Sequence, residues 1–138
     1  MQSKSTQTYT AATPVEMERV ANALLEQFPQ GGHFAMVGEM GAGKTTLMQC
    51  ICKSLHLPFA GSPTFSLINE YTLHDGRKLY HFDLYRLNST DELNAIGFEE
   101  YLTGAYVFIE WPQIAAHLTD AMTRISITDE GGVRRVEW

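Results

Sequence analysis

The sequence predicts an α/β fold whose mixed, mostly parallel sheet carries an antiparallel hairpin and is flanked by helices. Segments with helical apolar spacing alternate with short, fully apolar runs, which is the pattern of helices packed on a buried sheet. One glycine-rich loop joins such a run directly to such a helix. At 138 residues the chain suits one hydrophobic core and is short for two ordinary domains, so residues 1–138 are expected to form one domain.

The elements follow in order. In "TPVEMERVANALLEQF", Thr13 is placed to N-cap, Pro14 suits the first helical position and Glu16 completes a capping box. Met17, Val20, Ala21, Leu24, Leu25 and Phe28 then share one helical face, and "PQGG" ends the helix. "HFAMV", His33 to Val37, is a strand covered on both faces. After the loop, Leu47, Met48, Ile51 and Leu55 recur at helical spacing. "SLINEYTLHDGRKLYHFDLY" predicts two strands around a two-residue Asp75-Gly76 turn, because both positions tolerate positive φ. In "NSTDELNAIGFEEYL", Ser89 and Glu92 repeat the capping-box pattern and Gly97 interrupts a short helix. "AYVFIEW" is another buried strand, "PQIAAHL" a helical piece, and "RISIT" with "RRVEW" a closing pair joined by "DEGGV". No segment repeats or is of low complexity.

Composition narrows the function classes. Ten Lys and Arg against sixteen Asp and Glu give a net charge of −6, whereas gripping nucleic acid requires clustered basic side chains that neutralise several phosphates. Any RNA is therefore expected to be held by a partner. Cys50 and Cys52, two apart on a helix, point away from each other and are expected to be reduced packing residues. "MQSKSTQTYT" lacks an apolar leader core, and no run approaches the ~18 apolar residues of a membrane span, so cytoplasmic residence without a membrane partner is expected.

"VGEMGAGKTT", Val37 to Thr46, contains Gly38, Gly43, Lys44 and Thr45 in the spacing G-x-x-x-x-G-K-[ST]. Small residues let consecutive backbone N–H groups turn toward an anionic phosphate at the positive end of the following helix. Lys44 then reaches the β- and γ-phosphates, and the Thr45 hydroxyl serves Mg²⁺. With Gly near 7% of residues, a chance match is on the order of half a percent. The loop specifies a nucleoside triphosphate and a P-loop NTPase-like sheet.

Phosphoryl chemistry also needs an acid at a neighbouring strand end to hold the metal or orient water. Glu110 ends "YVFIE", a Walker-B-like pattern, and Asp83 ends "KLYHFD". Thr64, in "GSPTFS", is a candidate switch residue, presented just beyond the extended Ser62-Pro63 pair. Trp111, beside Glu110, is a candidate reporter of the nucleotide state. No N-K-x-D guanine motif occurs, and "DEGG" at Asp129 to Gly132 is a hairpin turn, so a GTPase is disfavoured. Arg86, Arg124, Arg134 and Arg135 are the main arginines to cover a transferred phosphoryl group, a small set for a small-molecule kinase.

Taken together, "GEMGAGKTT", "SPTFSLINEY", "HFDLYRL" and "FIEWP" make the chain resemble the TsaE (formerly YjeE) family from about Thr10 to about Val136. The resemblance implies an Mg²⁺-dependent ATPase accessory to tRNA threonylcarbamoyladenosine formation. Its partners would be the threonylcarbamoyl transferase TsaD and its paralogue TsaB, with tRNA reached only through that complex. The implied ATP contacts are Thr10, Ala11, Gly38, Glu39, Met40, Gly41, Ala42, Gly43, Lys44, Thr45, Thr46 and Arg134, with the start of the first helix, Tyr9 to Ala12, near the adenine. Thr45 and Glu110 would hold the metal, Asp83 and Glu110 would serve hydrolysis, Thr64 would be the switch threonine and Trp111 a mobile aromatic. Glu39-Met40 stands where the family usually has Asp-Leu. A P-loop small-molecule kinase and a non-hydrolytic, nucleotide-dependent binding module are the alternatives that the loop alone allows.

Overall fold

The computed structural model describes residues 6–63 and 66–138. Its centre is a seven-stranded sheet in the order β1-β7-β6-β2-β5-β4-β3. The strands are β1 (Thr8–Ala11), β2 (Gly32–Val37), β3 (Ile68–Thr72), β4 (Lys78–Asp83), β5 (Tyr106–Glu110), β6 (Thr123–Glu130) and β7 (Val133–Glu137). The four central strands, β6-β2-β5-β4, are parallel, and antiparallel pairs close both edges.

Alternation along β5 explains why its sequence is apolar up to the terminal Glu110. Val107 and Ile109 face one core, with Phe82, Leu84, Leu93 and Phe98. Tyr106 and Phe108 face the other, with Phe34, Met36, Leu79 and Ile125. A strand covered on both sides has no polar face to show. The second core is closed by α1 (Pro14–Gln27) and α2 (Lys44–Ser54), whose Met17, Val20, Ala21, Leu24, Leu47, Met48 and Ile51 are buried. Each large apolar side chain buried in this way contributes on the order of 2 kcal/mol. The first core is covered by α3 (Thr90–Ala95), α4 (Phe98–Tyr101), a 3-10 turn over Pro112–Ala115 and α5 (Ala116–Thr119).

The capping box of α1 forms: Thr13 Oγ1 accepts from the Glu16 amide, and the Glu16 carboxylate accepts from the Thr13 amide. The second one does not. Ser89 makes no side-chain cap bond to α3; the Glu92 amide donates instead to the Ser89 carbonyl at 3.3 Å. The β3–β4 hairpin also differs from expectation. The Leu73 amide donates to the Arg77 carbonyl and the Gly76 amide to the Leu73 carbonyl, so the loop holds three residues. Gly76 alone takes positive φ (+88°) there, while Asp75 accepts from the Arg77 amide instead. The two-residue turn with both positions at positive φ is found at Gly131-Gly132 between β6 and β7. Finally, Tyr9 to Ala11 do not begin a helix; they pair with Val136 to Arg134 as an edge strand. Among the described residues, no helix is long and apolar enough to cross a membrane.

These connections set the site. The chain leaves β2 through the glycine loop and α2 toward β3, β4 and β5 on one side, then returns through α5 to β6 on the other. The carboxyl ends of β2, β4 and β5 are thereby left beside one another, the place where α/β sheets bind ligands.

Candidate functional site

The loop between β2 and α2 owes its shape to glycine at three positions. A Cβ on Gly38 would lie 2.7 Å from the Ile127 carbonyl of β6, so only glycine permits that approach. Gly41 (φ +81°) and Gly43 (φ +119°) occupy backbone conformations that L side chains rarely adopt. Gly43 caps α2 with no side-chain acceptor, which leaves first-turn amides of an eleven-residue helix to meet an anion at its positive end. Arg134 Nη1 donates to the Gly41 carbonyl at 3.1 Å and ties the loop to β7.

Lys44, the first residue of α2, is buried at 6% exposure. Its ammonium donates to the Gly38 carbonyl at 2.5 Å and stands 3.5 Å from the centre of the Trp111 ring. Burial pulls its pKa down, opposed by the charges of Glu110 and then Asp83. Trp111 holds its place at a backbone cost. Its φ of +57° and ψ of +52° are left-handed, although the following Pro112 favours extended backbone, and such strain costs about 1–3 kcal/mol. The Trp111 ring contacts both Lys44 and Tyr85, whose ring centroid is 5.0 Å away at a tilt of 48°.

Asp83 and Glu110 are register partners at the carboxyl ends of β4 and β5. The Asp83 carboxyl accepts from the Tyr85 amide at 3.0 Å, and burial pushes its pKa up despite that bond, with the Glu110 charge adding to the rise. Glu110 is 3% exposed and His81 is fully buried, and His81 Nε2 lies 2.5 Å from Glu110 Oε2.

Lys44, Thr45, Asp83 and Glu110 line one cavity of about 420 Å³, together with Gly43, Thr46, Ser62, Tyr85, Arg86, Trp111 and Arg134. An ammonium, a hydroxyl and two carboxylates beside a helix N-terminus are a donor set for a polyphosphate with a hard divalent cation. Ala11, Thr46 and Arg134 share a smaller neighbouring cavity of about 130 Å³ with Ala12 and Thr13. Thr10 is exposed on β1 opposite Arg135 and lines neither cavity. Met40 and Gly41 line the first cavity from the loop; Glu39 and Ala42 instead face a cleft of about 870 Å³ on the β6 side. That cleft is the larger of the two, yet Lys44, Asp83 and Glu110 do not line it, so size does not mark the chemistry. Thr64 lies outside the described residues. Its neighbour Ser62 is described, and the Ser62 and Thr45 hydroxyls are 3.2 Å apart.

Sequence reasoning passed over His81, Ser62 and Tyr85. His81 carried a readable signal: it stands two residues before Asp83 in an alternating strand, hence on the same face. Ser62 and Tyr85 carried none, because a loop's approach to a hydroxyl 17 residues earlier is set by tertiary packing.

The family model for "Threonylcarbamoyl adenosine biosynthesis protein TsaE" matches residues 11–136. A "tRNA threonylcarbamoyladenosine biosynthesis protein TsaE" from Rickettsia felis is 36% identical over 109 residues, covering 75% of this chain and 61% of that protein. The proteins of that name from Borreliella burgdorferi and Nostoc sp. are 32% and 40% identical, covering 82% and 77% of this chain and 83% and 69% of their own lengths. The crystal structure of Bacillus subtilis YdiB aligns over 99% of this chain and 86% of its own, with a TM-score of 0.68 at 25% identity. The family match takes in the loop and both strands that end in Asp83 and Glu110, and the chain belongs to the TsaE family of threonylcarbamoyl adenosine biosynthesis.

Proposed function

We propose that the protein is an Mg²⁺-dependent ATPase that supports repeated turnover of the threonylcarbamoyl transferase TsaD and its paralogous partner TsaB during threonylcarbamoyladenosine formation in tRNA. The observation that carries this reading is the convergence of Lys44, Thr45, Asp83 and Glu110 on one cavity at the N-terminus of α2. The family's place in this biosynthesis supplies the context.

The residues divide the work. Backbone amides of the loop and of the first turn of α2 bind the phosphates and fix their orientation. Lys44 already sits at the cavity with its side chain largely buried, and it exchanges the Gly38 carbonyl and the Trp111 face for phosphate oxygens. The Thr45 hydroxyl and Glu110 would hold Mg²⁺, with Asp83 alongside. When bound, the ion neutralises charge that develops on the phosphate oxygens. Asp83 or Glu110 orients the attacking water and accepts its hydrogen bond. Ala11 and Arg134, neighbours across β1 and β7, form the shelf nearest the base. The net charge of −6 leaves tRNA contact to the partners.

The test is a steady-state ATPase assay with Mg²⁺, run with and without the purified TsaD–TsaB heterodimer. The expected outcome is slow hydrolysis whose rate or nucleotide affinity changes when the heterodimer is added. No effect of the heterodimer on either would remove the accessory role, and phosphate transferred to an added metabolite would favour a kinase.

A further inference from the structure

We infer that His81 is a positioning residue: it holds one oxygen of the Glu110 carboxylate so that the other is presented to the nucleotide cavity. This inference rests on the hydrolytic reading above and names a residue to which that reading gives no role.

Strand geometry brings the two together. In β4 the side chains of Leu79, His81 and Asp83 share a face, and in β5 those of Tyr106, Phe108 and Glu110 share the same one. The parallel register sets Asp83 beside Glu110 and His81 beside Phe108, one step further from the cavity. Glu110 thus has a carboxylate neighbour at its own level and an imidazole behind it. Asp83 bonds to the Tyr85 amide on its own strand end, while Glu110 Oε2 lies 2.5 Å from His81 Nε2. This role requires the tautomer in which Nε2–H donates to the Glu110 carboxylate. A charge-assisted bond this short fixes the carboxylate's rotation, which a strand-end glutamate would otherwise retain through its free torsions.

The rest of the ring argues against a packing role. His81 is fully buried, and its Nδ1 has no hydrogen-bond partner among the described residues. An apolar residue at this level of a sheet centre would cost nothing in unmade bonds, and a buried polar pair adds little net stability. Among the described residues the imidazole therefore makes one bond, and that bond goes to the acid at the cavity wall. Partners that orient metal-site residues in this way are typically worth 10–100-fold in metal affinity or activity.

The experiment compares wild type with His81→Leu and His81→Gln. Leu keeps the buried volume and removes the donor; the Gln amide nitrogen reaches the place of Nε2. Folding is followed by melting temperature. Mn²⁺ affinity of the ADP-loaded protein is read by electron paramagnetic resonance, alongside kcat and KM for ATP. His81→Leu is expected to lower Mn²⁺ affinity and kcat by about 10–100-fold, with KM and metal-free nucleotide affinity little changed, and His81→Gln to recover most of both. In a Glu110→Gln background, His81→Leu is expected to change Mn²⁺ affinity no further, since its target is gone. If His81→Leu does not fold, His81→Asn replaces it, because its shorter amide reaches only the place of Nδ1. Wild-type Mn²⁺ affinity and kcat in the donorless variant, or an equal loss with and without the Glu110 carboxylate, would overturn the inference. Wild-type protein that binds Mn²⁺ with ADP but hydrolyses no ATP would instead sink the hydrolytic reading, while the Mn²⁺ series still decides the role of His81.

Discussion

The loop from Gly38 to Thr46 and the acidic shelf at the ends of β4 and β5 face each other across one cavity, but they are built in opposite ways. The loop works through its backbone. Glycines at 38, 41 and 43 shape a turn within nine residues, and its one cationic arm, Lys44, extends from the helix that follows. The shelf works through side chains drawn together across strands. His81 and Asp83 come from one strand and Glu110 from another, 29 residues beyond His81. A site can thus have one half specified locally and the other half specified only by the sheet register.

That difference predicts how each half fails. Lys44→Ala should give the largest effect, a loss of nucleotide affinity of about 100-fold, or ~2.7 kcal/mol, because it removes the buried ammonium at the head of the phosphate loop. Titration calorimetry with ADP checks this, and near-normal affinity would break the assignment of binding to the loop. Gly43→Ala should act on the same half more weakly. The new Cβ would meet Arg134 Nη1 at 2.7 Å, which the flexible arginine relieves by moving, but a φ of +119° remains strained at about 1–3 kcal/mol. Affinity is expected to fall roughly tenfold with a lower melting temperature.

On the shelf, Asp83→Asn should cost hydrolysis yet slightly stabilise the fold. Burial, seconded by Glu110, raises the Asp83 pKa above its unfolded value. The native state therefore binds that proton more tightly than the unfolded chain does, and the resulting stability is present below the unfolded carboxylate range and lost as pH rises through the folded value. At pH 7 the charged carboxylate is a burden, which Asn removes while its oxygen still accepts from the Tyr85 amide. Since the group is partly exposed and screened, the gain should be small, roughly 2 °C in melting temperature. The gain should vanish near pH 3. A melting temperature that falls at pH 7 would contradict the electrostatic account of the shelf.

The same contrast describes what the sequence made legible. Strand, loop and α2 were readable because each is set by neighbours in sequence, and so was the α1 capping box, whose Thr13 and Glu16 stand three apart. The Ser89 box does not form, because at this six-residue helix the Glu92 amide takes the Ser89 carbonyl rather than its hydroxyl. The resemblance puts Tyr9 to Ala12 at the start of a helix, whereas Thr8–Ala11 form a strand whose partners in β7 lie more than 120 positions away, beyond any local signal. Glu110 announced itself by ending an apolar run. His81 shows only its place on the face of Asp83; its bond to Glu110 crosses to another strand and is set by the sheet register.

The central claim is that the loop binds and the shelf hydrolyses. Glu110→Gln tests it most directly, with ADP affinity and single-turnover ATP hydrolysis measured on the same preparation. Affinity within about threefold of wild type and hydrolysis reduced about 100-fold or more is the expected result. Hydrolysis at the wild-type rate would contradict the claim, and so would a loss of affinity as large as the loss of hydrolysis.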